Sequence, residues 1–149
     1  MTLETRPLFF IEVDVAAPVD IGETGAGRRR AIPITGGSFS GVASGRVLPG
    51  ADWQTILQDG TIELSAHYAL ETDAGERIEV TSEGLRAGRP EVLGQLARGE
   101  AVDPADYYFR TAVRFRTGAP ALAWLNTILA VSTARREAAR VTLTVYEVL

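Results

Sequence analysis

An all-β chain closing into an antiparallel barrel of about eight to ten strands, with one short helix, is the architecture this sequence predicts. Apolar and polar residues alternate through most of its long segments, glycine and proline clusters interrupt them at short intervals, and one stretch alone has the markings of a helix. Closure removes exposed strand edges, and about eight strands leave room for one small ligand. A two-sheet sandwich is the alternative architecture.

In residues 7–17, Phe9, Ile11, Val13 and Val15 alternate with Phe10, Glu12, Asp14 and Ala16, the period of a half-buried strand. Residues 20–27 carry Gly22, Gly25 and Gly27 and read as a mobile loop; their G-x-x-G-x-G order is not the dinucleotide fingerprint. Short strands follow at 31–35, 39–48 and 52–57, punctuated by the turn signals Gly36-Gly37 and Pro49-Gly50. Gln58-Asp59-Gly60 turns into strand 61–71, with Ile62, Leu64, Ala66, Tyr68 and Leu70 on one face, and Thr72-Asp73-Ala74-Gly75 closes a hairpin onto 76–82. The helix begins at Pro90, where the ring suits the first helical position, and ends near Gly99. Asp103 is placed to cap the turn that Pro104 starts. Strand-like segments 107–116, 121–133 and 140–149 complete a single β-barrel domain over 1–149.

Composition removes whole classes of chemistry. The 149 residues contain no cysteine, one histidine and fifteen basic residues that are all arginine. Schiff-base lysines, thiol nucleophiles, thiolate metal sites and Walker-type phosphate loops therefore have no residue to build on, and neither a metal nor another cofactor is expected. Arginine stays charged and offers a planar fork to anions, so a basic residue at a site here recognises an anion. The net charge of −4 gives no general attraction to nucleic acid, and Arg28-Arg29-Arg30 is the one concentrated basic run. No apolar run reaches the roughly 20 residues of a membrane span, and no signal peptide opens the chain, which together predict a cytoplasmic protein.

Candidate site residues come from strand parity. On 107–116, Tyr108, Arg110, Ala112 and Arg114 share one face, and Tyr107, Phe109, Thr111, Val113 and Phe115 the other. On the strand 121–133, Leu122, Trp124, Asn126 and Ile128 form a mixed face, and Ala123, Leu125, Thr127, Leu129 and Val131 the other. An aromatic thus stands two residues from a polar group on each, Tyr108 with Arg110 and Trp124 with Asn126, and such faces suit a lumen holding a polar-headed apolar ligand. The competing reading pairs Arg110 with an internal carboxylate and buries Trp124 as core. Arg30, Thr35, Asp52 and Trp53 follow glycine-rich turns at one predicted rim. Asp52 is either a general base beside Trp53 or the cap of the Pro49-Gly50 turn. Tyr146 and Glu147 on the last strand and an inward Glu12 complete the set. Ser65 and His67 are neighbours on one strand and have no nucleophile elbow, so no hydrolase triad is read.

Arg28-Arg29-Arg30, Pro33-Ile34-Thr35-Gly36-Gly37 and Phe39, Gly45, Leu48-Pro49-Gly50, Ala51-Asp52-Trp53-Gln54, Tyr107-Tyr108-Phe109-Arg110-Thr111, Trp124-Leu125-Asn126 and Val145-Tyr146-Glu147-Val148 together resemble the domain of unknown function 3237 family, in order and over nearly the whole chain. The sequence departs from the pattern in a single glycine before Ala51, where two are usual, and in His67, where a basic residue precedes the tyrosine. The resemblance implies a compact barrel that often self-associates, with no established common activity. Its Asp-Trp, Phe-Arg-Thr and Trp-Leu-Asn blocks fall on Asp52, Trp53, Arg110, Trp124 and Asn126.

Three functions are left to choose between. The first is a cofactor-independent lyase, isomerase or cyclase acting on a small, partly apolar carbonyl, enol or phenolic substrate. In it Asp52 or Glu147 moves a proton, Arg110 and Asn126 hold oxyanion charge, and Arg30, Trp53, Tyr108, Trp124 and Tyr146 shape the binding site. The second is a non-catalytic binder of an apolar metabolite, and the third a homo-oligomeric assembly module with a filled barrel.

Overall fold

A computed structural model describes residues 1–149. Its strands are β1 (Thr5–Val15), β2 (Val19–Thr24), β3 (Gly27–Gly41), β4 (Gly45–Val47), β5 (Gly50–Ile56), β6 (Ile62–Thr72), β7 (Arg77–Gly88), β8 (Tyr107–Thr117), β9 (Ala130–Arg136) and β10 (Arg140–Val148), with one helix, α1 (Pro90–Ala97). Every pairing is antiparallel. From β1 the sheet runs through β10, β9, β8, β7 and β6 to β5 and β3, and β3 returns to β1, which closes an eight-stranded barrel. Two further strands are accessory: β4 bridges β3 and β6 beside β5, and β2 pairs with β3 alone.

The alternation seen in the sequence decides which side chains enter. Ile11 and Val13 on β1, Leu64, Tyr68 and Leu70 on β6, Phe109, Val113 and Phe115 on β8, and Leu143 and Val145 on β10 are buried in one cluster. One half of the interior is solid. There Phe9 packs edge-on against Phe39 and Phe115, with centroids 5.8 and 5.3 Å away. Leu122 and Leu125 are buried in the same cluster. The helix sits toward the other half, with Val92 and Leu96 buried, and Pro90 occupies its first turn as expected.

Three local expectations fail for identifiable reasons. Residues 20–27 form no loop: β2 and the start of β3 make a hairpin, from Val19 opposite Ala31 to Thr24 opposite Gly27, and Asp20 pairs with Arg28 at 2.6 Å. Gly36-Gly37 forms no turn either. The strand continues through both glycines, and Gly37, at φ +133°, packs where a Cβ would collide with the Glu12 carbonyl, so the glycines answer a close backbone approach. Residues 121–133 do not form one strand, because Pro120–Thr127 is a 3-10 segment and β9 begins only at Ala130. Leu122 and Leu125, three residues apart, share one side of such a turn.

Candidate functional site

The half of the barrel facing α1 is hollow. A cavity of about 380 Å³ occupies it, with walls from the inner faces of β1, β3, β5, β6, β7, β8, β9 and β10. It reaches the surface among Pro18, Arg98, Gly99 and Ala138, all exposed. The apolar lining includes Ile32, Ile34, Leu64, Leu96, Phe109 and Leu143. A barrel filled by its own side chains is therefore not what the chain forms.

Parity places the polar residues. On β5, Asp52 and Gln54 lie two apart and line the cavity, while Trp53 between them is exposed. On β3 the arginine run divides: Arg28 pairs outward with Asp20, Arg29 bonds Thr55 Oγ1 at 3.0 Å, and Arg30 lines the cavity. There Arg30 Nε donates to Gln54 Oε1 at 2.8 Å, and Gln54 Nε2 donates to Asp52 Oδ2 at 2.7 Å, so one carboxamide bridges the guanidinium and the carboxyl. Tyr68 enters from β6, Ser82 and Arg86 from β7, Thr111 from β8 and Arg136 from the end of β9. Ser82 donates to Thr111 Oγ1 at 2.8 Å, and Thr111 bonds Ser132 at 2.5 Å, which satisfies the hydroxyls among themselves.

Three buried polar atoms in this group have no partner: Asp52 Oδ1, Tyr68 Oη and Arg86 Nε. Buried polar groups are nearly always bonded, so three orphans lining one cavity leave unused hydrogen-bonding capacity directed into it. The electrostatics agree. Burial raises the Asp52 carboxyl above its usual range, against the Gln54 hydrogen bond, the Arg86 charge, a Ser65 backbone bond and Arg30. Burial, with the Asp52 charge adding to it, also raises the Tyr68 hydroxyl. Arg86 is drawn down to about 10, by burial first and then by repulsion from Arg136 and Arg30, and its guanidinium lies 5.4 Å over the Phe109 ring. Arg136 is lowered by burial and by Arg30, and Arg30 by burial.

Of the residues proposed from sequence, Arg30 and Asp52 line this cavity and the others do not. Arg110 lies on the outer face of β8, where its guanidinium stacks 5.4 Å over the exposed Tyr108 and donates to the Phe109 carbonyl. Its inward neighbours are Phe109 and Thr111. Trp53 and Trp124 are exposed. Asn126 clamps the Thr117 backbone, accepting from its N–H at 2.8 Å and donating to its carbonyl at 2.9 Å. Glu147 points inward in the solid half, where it is paired with Arg6, and its neighbour Tyr146 is only half-buried on the other face. Glu12 is not inward, since it pairs with Arg140 at 3.1 Å. Asp52 bonds Gln54 and does not cap the preceding turn. His67 is exposed and meets Glu79 at 2.6 Å. No cluster of three histidine, cysteine or carboxylate residues is placed to hold a metal ion, and no helix is long and apolar enough to cross a membrane.

Gln54, Tyr68, Arg86 and Arg136 were missed. Gln54 follows from Asp52 by the period of two, and Tyr68 already stood on the inner face of its strand. Arg86 follows if the alternation Ile78, Val80, Ser82 is carried past Gly84, and Arg136 if Ala130, Ser132, Ala134 is carried one step further.

Comparison with known proteins places the chain among uncharacterised relatives. The model of the family described as protein of unknown function (DUF3237) matches residues 3–148. A UPF0311 protein of Bradyrhizobium diazoefficiens is 46% identical over 149 residues, covering 99% of this chain and 98% of that protein. The crystal structure of a conserved protein of unknown function from Rhodopseudomonas palustris superposes with TM-score 0.93 at 46% identity, covering 100% of this chain and 99% of the other. A structure described as an enzyme from Penicillium herquei shares the fold at TM-score 0.75 and 23% identity, covering 100% and 96%.

Proposed function

The chain belongs to the DUF3237 family, and from that premise we propose that it is a small-molecule-binding barrel working as a cofactor-independent lyase, isomerase or cyclase on a small, partly apolar carbonyl, enol or phenolic substrate. The observation that carries this reading is the set of unpartnered atoms, Asp52 Oδ1, Tyr68 Oη and Arg86 Nε, lining one cavity. A carboxyl whose pKa is raised above the usual carboxylate range is a stronger proton acceptor than an exposed one, and Asp52 is that group. Arg86, with Arg30 and Arg136, holds negative charge as it develops on a substrate oxygen, where exclusion of water strengthens the interaction. Tyr68 keeps its proton and donates a hydrogen bond. Leu64, Phe109 and Leu143 receive the apolar body and position it against Asp52. The Penicillium herquei protein described as an enzyme shares this fold.

The test is an assay of cyclisation, hydration and isomerisation over a panel of phenolic and polyketide-like substrates. Asp52→Asn lowers kcat by about 10²–10⁴, and Arg110→Ala, on the outer face, leaves it unchanged. Full turnover in Asp52→Asn would defeat the reading.

A non-catalytic carrier is the second reading, supported by the predominance of hydrophobic residues, 13 of 23, in the cavity lining. A ligand that co-purifies and is released chemically unchanged would favour it.

A further inference from the structure

The cavity buries charge that the protein leaves unpaired. Nine basic side chains of this chain have a carboxylate partner, and Arg30, Arg86 and Arg136 are not among them. Arg86 is 5% exposed with its Nε unsatisfied. Three guanidiniums without a carboxylate partner therefore line a cavity that has one carboxyl, Asp52, whose Oδ2 is already taken by Gln54, while Arg98 at the mouth is paired with Glu100. An isolated buried ion is costly and is tolerated when a counter-charge completes it. Asp52 is the one carboxylate of the chain acting on them, and one charge does not balance three, so the remaining counter-charge comes from outside.

We propose that the ligand of this cavity is a small organic acid bound as its anion, its carboxylate held by Arg30, Arg86 and Arg136 and its aromatic or alicyclic body lying against Ile32, Leu64, Phe109 and Leu143. The guanidinium fork matches a carboxylate in shape as well as charge, which a single neutral carbonyl cannot reproduce. The cavity volume of about 380 Å³ is of ligand size, toward the lower end of the range for small-molecule sites. A bare inorganic anion would engage the guanidiniums but leave the apolar walls Ile32, Leu64, Phe109 and Leu143 uncovered, which an organic acid covers. This inference deepens the acid–base reading, on whose cavity it rests, by fixing the charge of the substrate.

The experiment measures calorimetric binding of benzoate, salicylate and 1-naphthoate to the intact protein at pH 7, each beside its neutral amide, with inorganic phosphate as a further arm. At least one carboxylate binds tenfold or more tightly than its amide, and phosphate does not displace it. Arg86→Met and, independently, Arg136→Gln each weaken the carboxylate at least tenfold, leave the amide unchanged, and do not lower Tm. Equal binding of acid and amide, phosphate binding as tightly as the best carboxylate, or no binding of any carboxylate overturns the proposal. Chemical turnover is scored separately. Selective carboxylate binding with no turnover in any substrate panel refutes the acid–base reading and leaves this inference standing, whereas turnover of neutral substrates by a cavity that does not prefer anions does the reverse.

Discussion

Asp52 and Arg86 face the same cavity and respond to burial with opposite signs. Because the Asp52 carboxyl titrates above its unfolded value of 3.8, the folded protein keeps this proton over a range where the unfolded chain has lost it. Its contribution to stability is fully present below pH 3.8 and is lost as pH rises through the raised value. Thermal denaturation of wild type and Asp52→Asn across pH 3 to 8 checks this: the wild-type Tm minus the variant Tm declines with rising pH, and a flat difference would mean that the carboxyl ionises freely. For Arg86 the folded value is lowered, from 12.5 to about 10, so the penalty for its charge is fully felt below that range. At 1.36 kcal/mol per pKa unit the burden is about 3 kcal/mol at neutral pH. Arg86→Met is expected to recover part of it, with Tm rising by about 2–4 °C per kcal/mol regained. A fall in Tm would show that the guanidinium braces the wall.

At the scale of elements, the periodicity of two was enough to find β1, β6, β8 and β10, and the Pro90 signal was enough to find α1. It was not enough to say which face of β8 looks inward. Tyr108 and Arg110 suggested a polar lumen wall, but a barrel interior this small draws its apolar face inward first, and the lumenal guanidiniums came from β3, β7 and β9. On β3 three consecutive arginines flatten the hydrophobic period, so Arg30 could be named but not aimed. On β7 the sequence reading stops at Ser82, whereas the strand continues through Gly84 to Gly88. In the structure Gly84 packs directly on the Arg110 carbonyl, a close approach inside a continuous strand. Gly37, read from the sequence as part of a turn, likewise lies inside a continuous strand, and Gly37→Ala is expected to cost more than about 1 kcal/mol, because both its positive φ and its contact with the Glu12 carbonyl exclude a side chain; a urea midpoint equal to wild type would contradict that. Asn126 was legible as a special residue but not in its role. Two backbone bonds to Thr117 make it the clamp between β8 and the following 3-10 segment. Asn126→Ala is expected to destabilise by about 1–2 kcal/mol through their loss, with carboxylate affinity unaltered. A change in affinity at constant stability would return it to the site.

The molecule as a whole is acidic, at −4, yet concentrates unpaired positive charge in its hollow half, so net charge is a poor guide to the charge of its interior. The division of the barrel into a solid and a hollow half also separates two demands. Phe9, Phe39, Phe115 and Leu125 supply cohesion in one half, and the other is left free to hold polar groups that a packed interior would reject. The seam of the barrel lies in the solid half, where Thr5 stands opposite Val148 and the Leu149 N–H reaches the Glu4 carbonyl at 2.9 Å. First and last residues are therefore neighbours. A few glycines joining them, with the chain cut instead at the open turn around Gly75, give a circular permutant in which every strand keeps its partners. It is expected to bind the same acids with the same affinity, so the hollow depends on who stands beside whom around the ring and not on where the polypeptide starts.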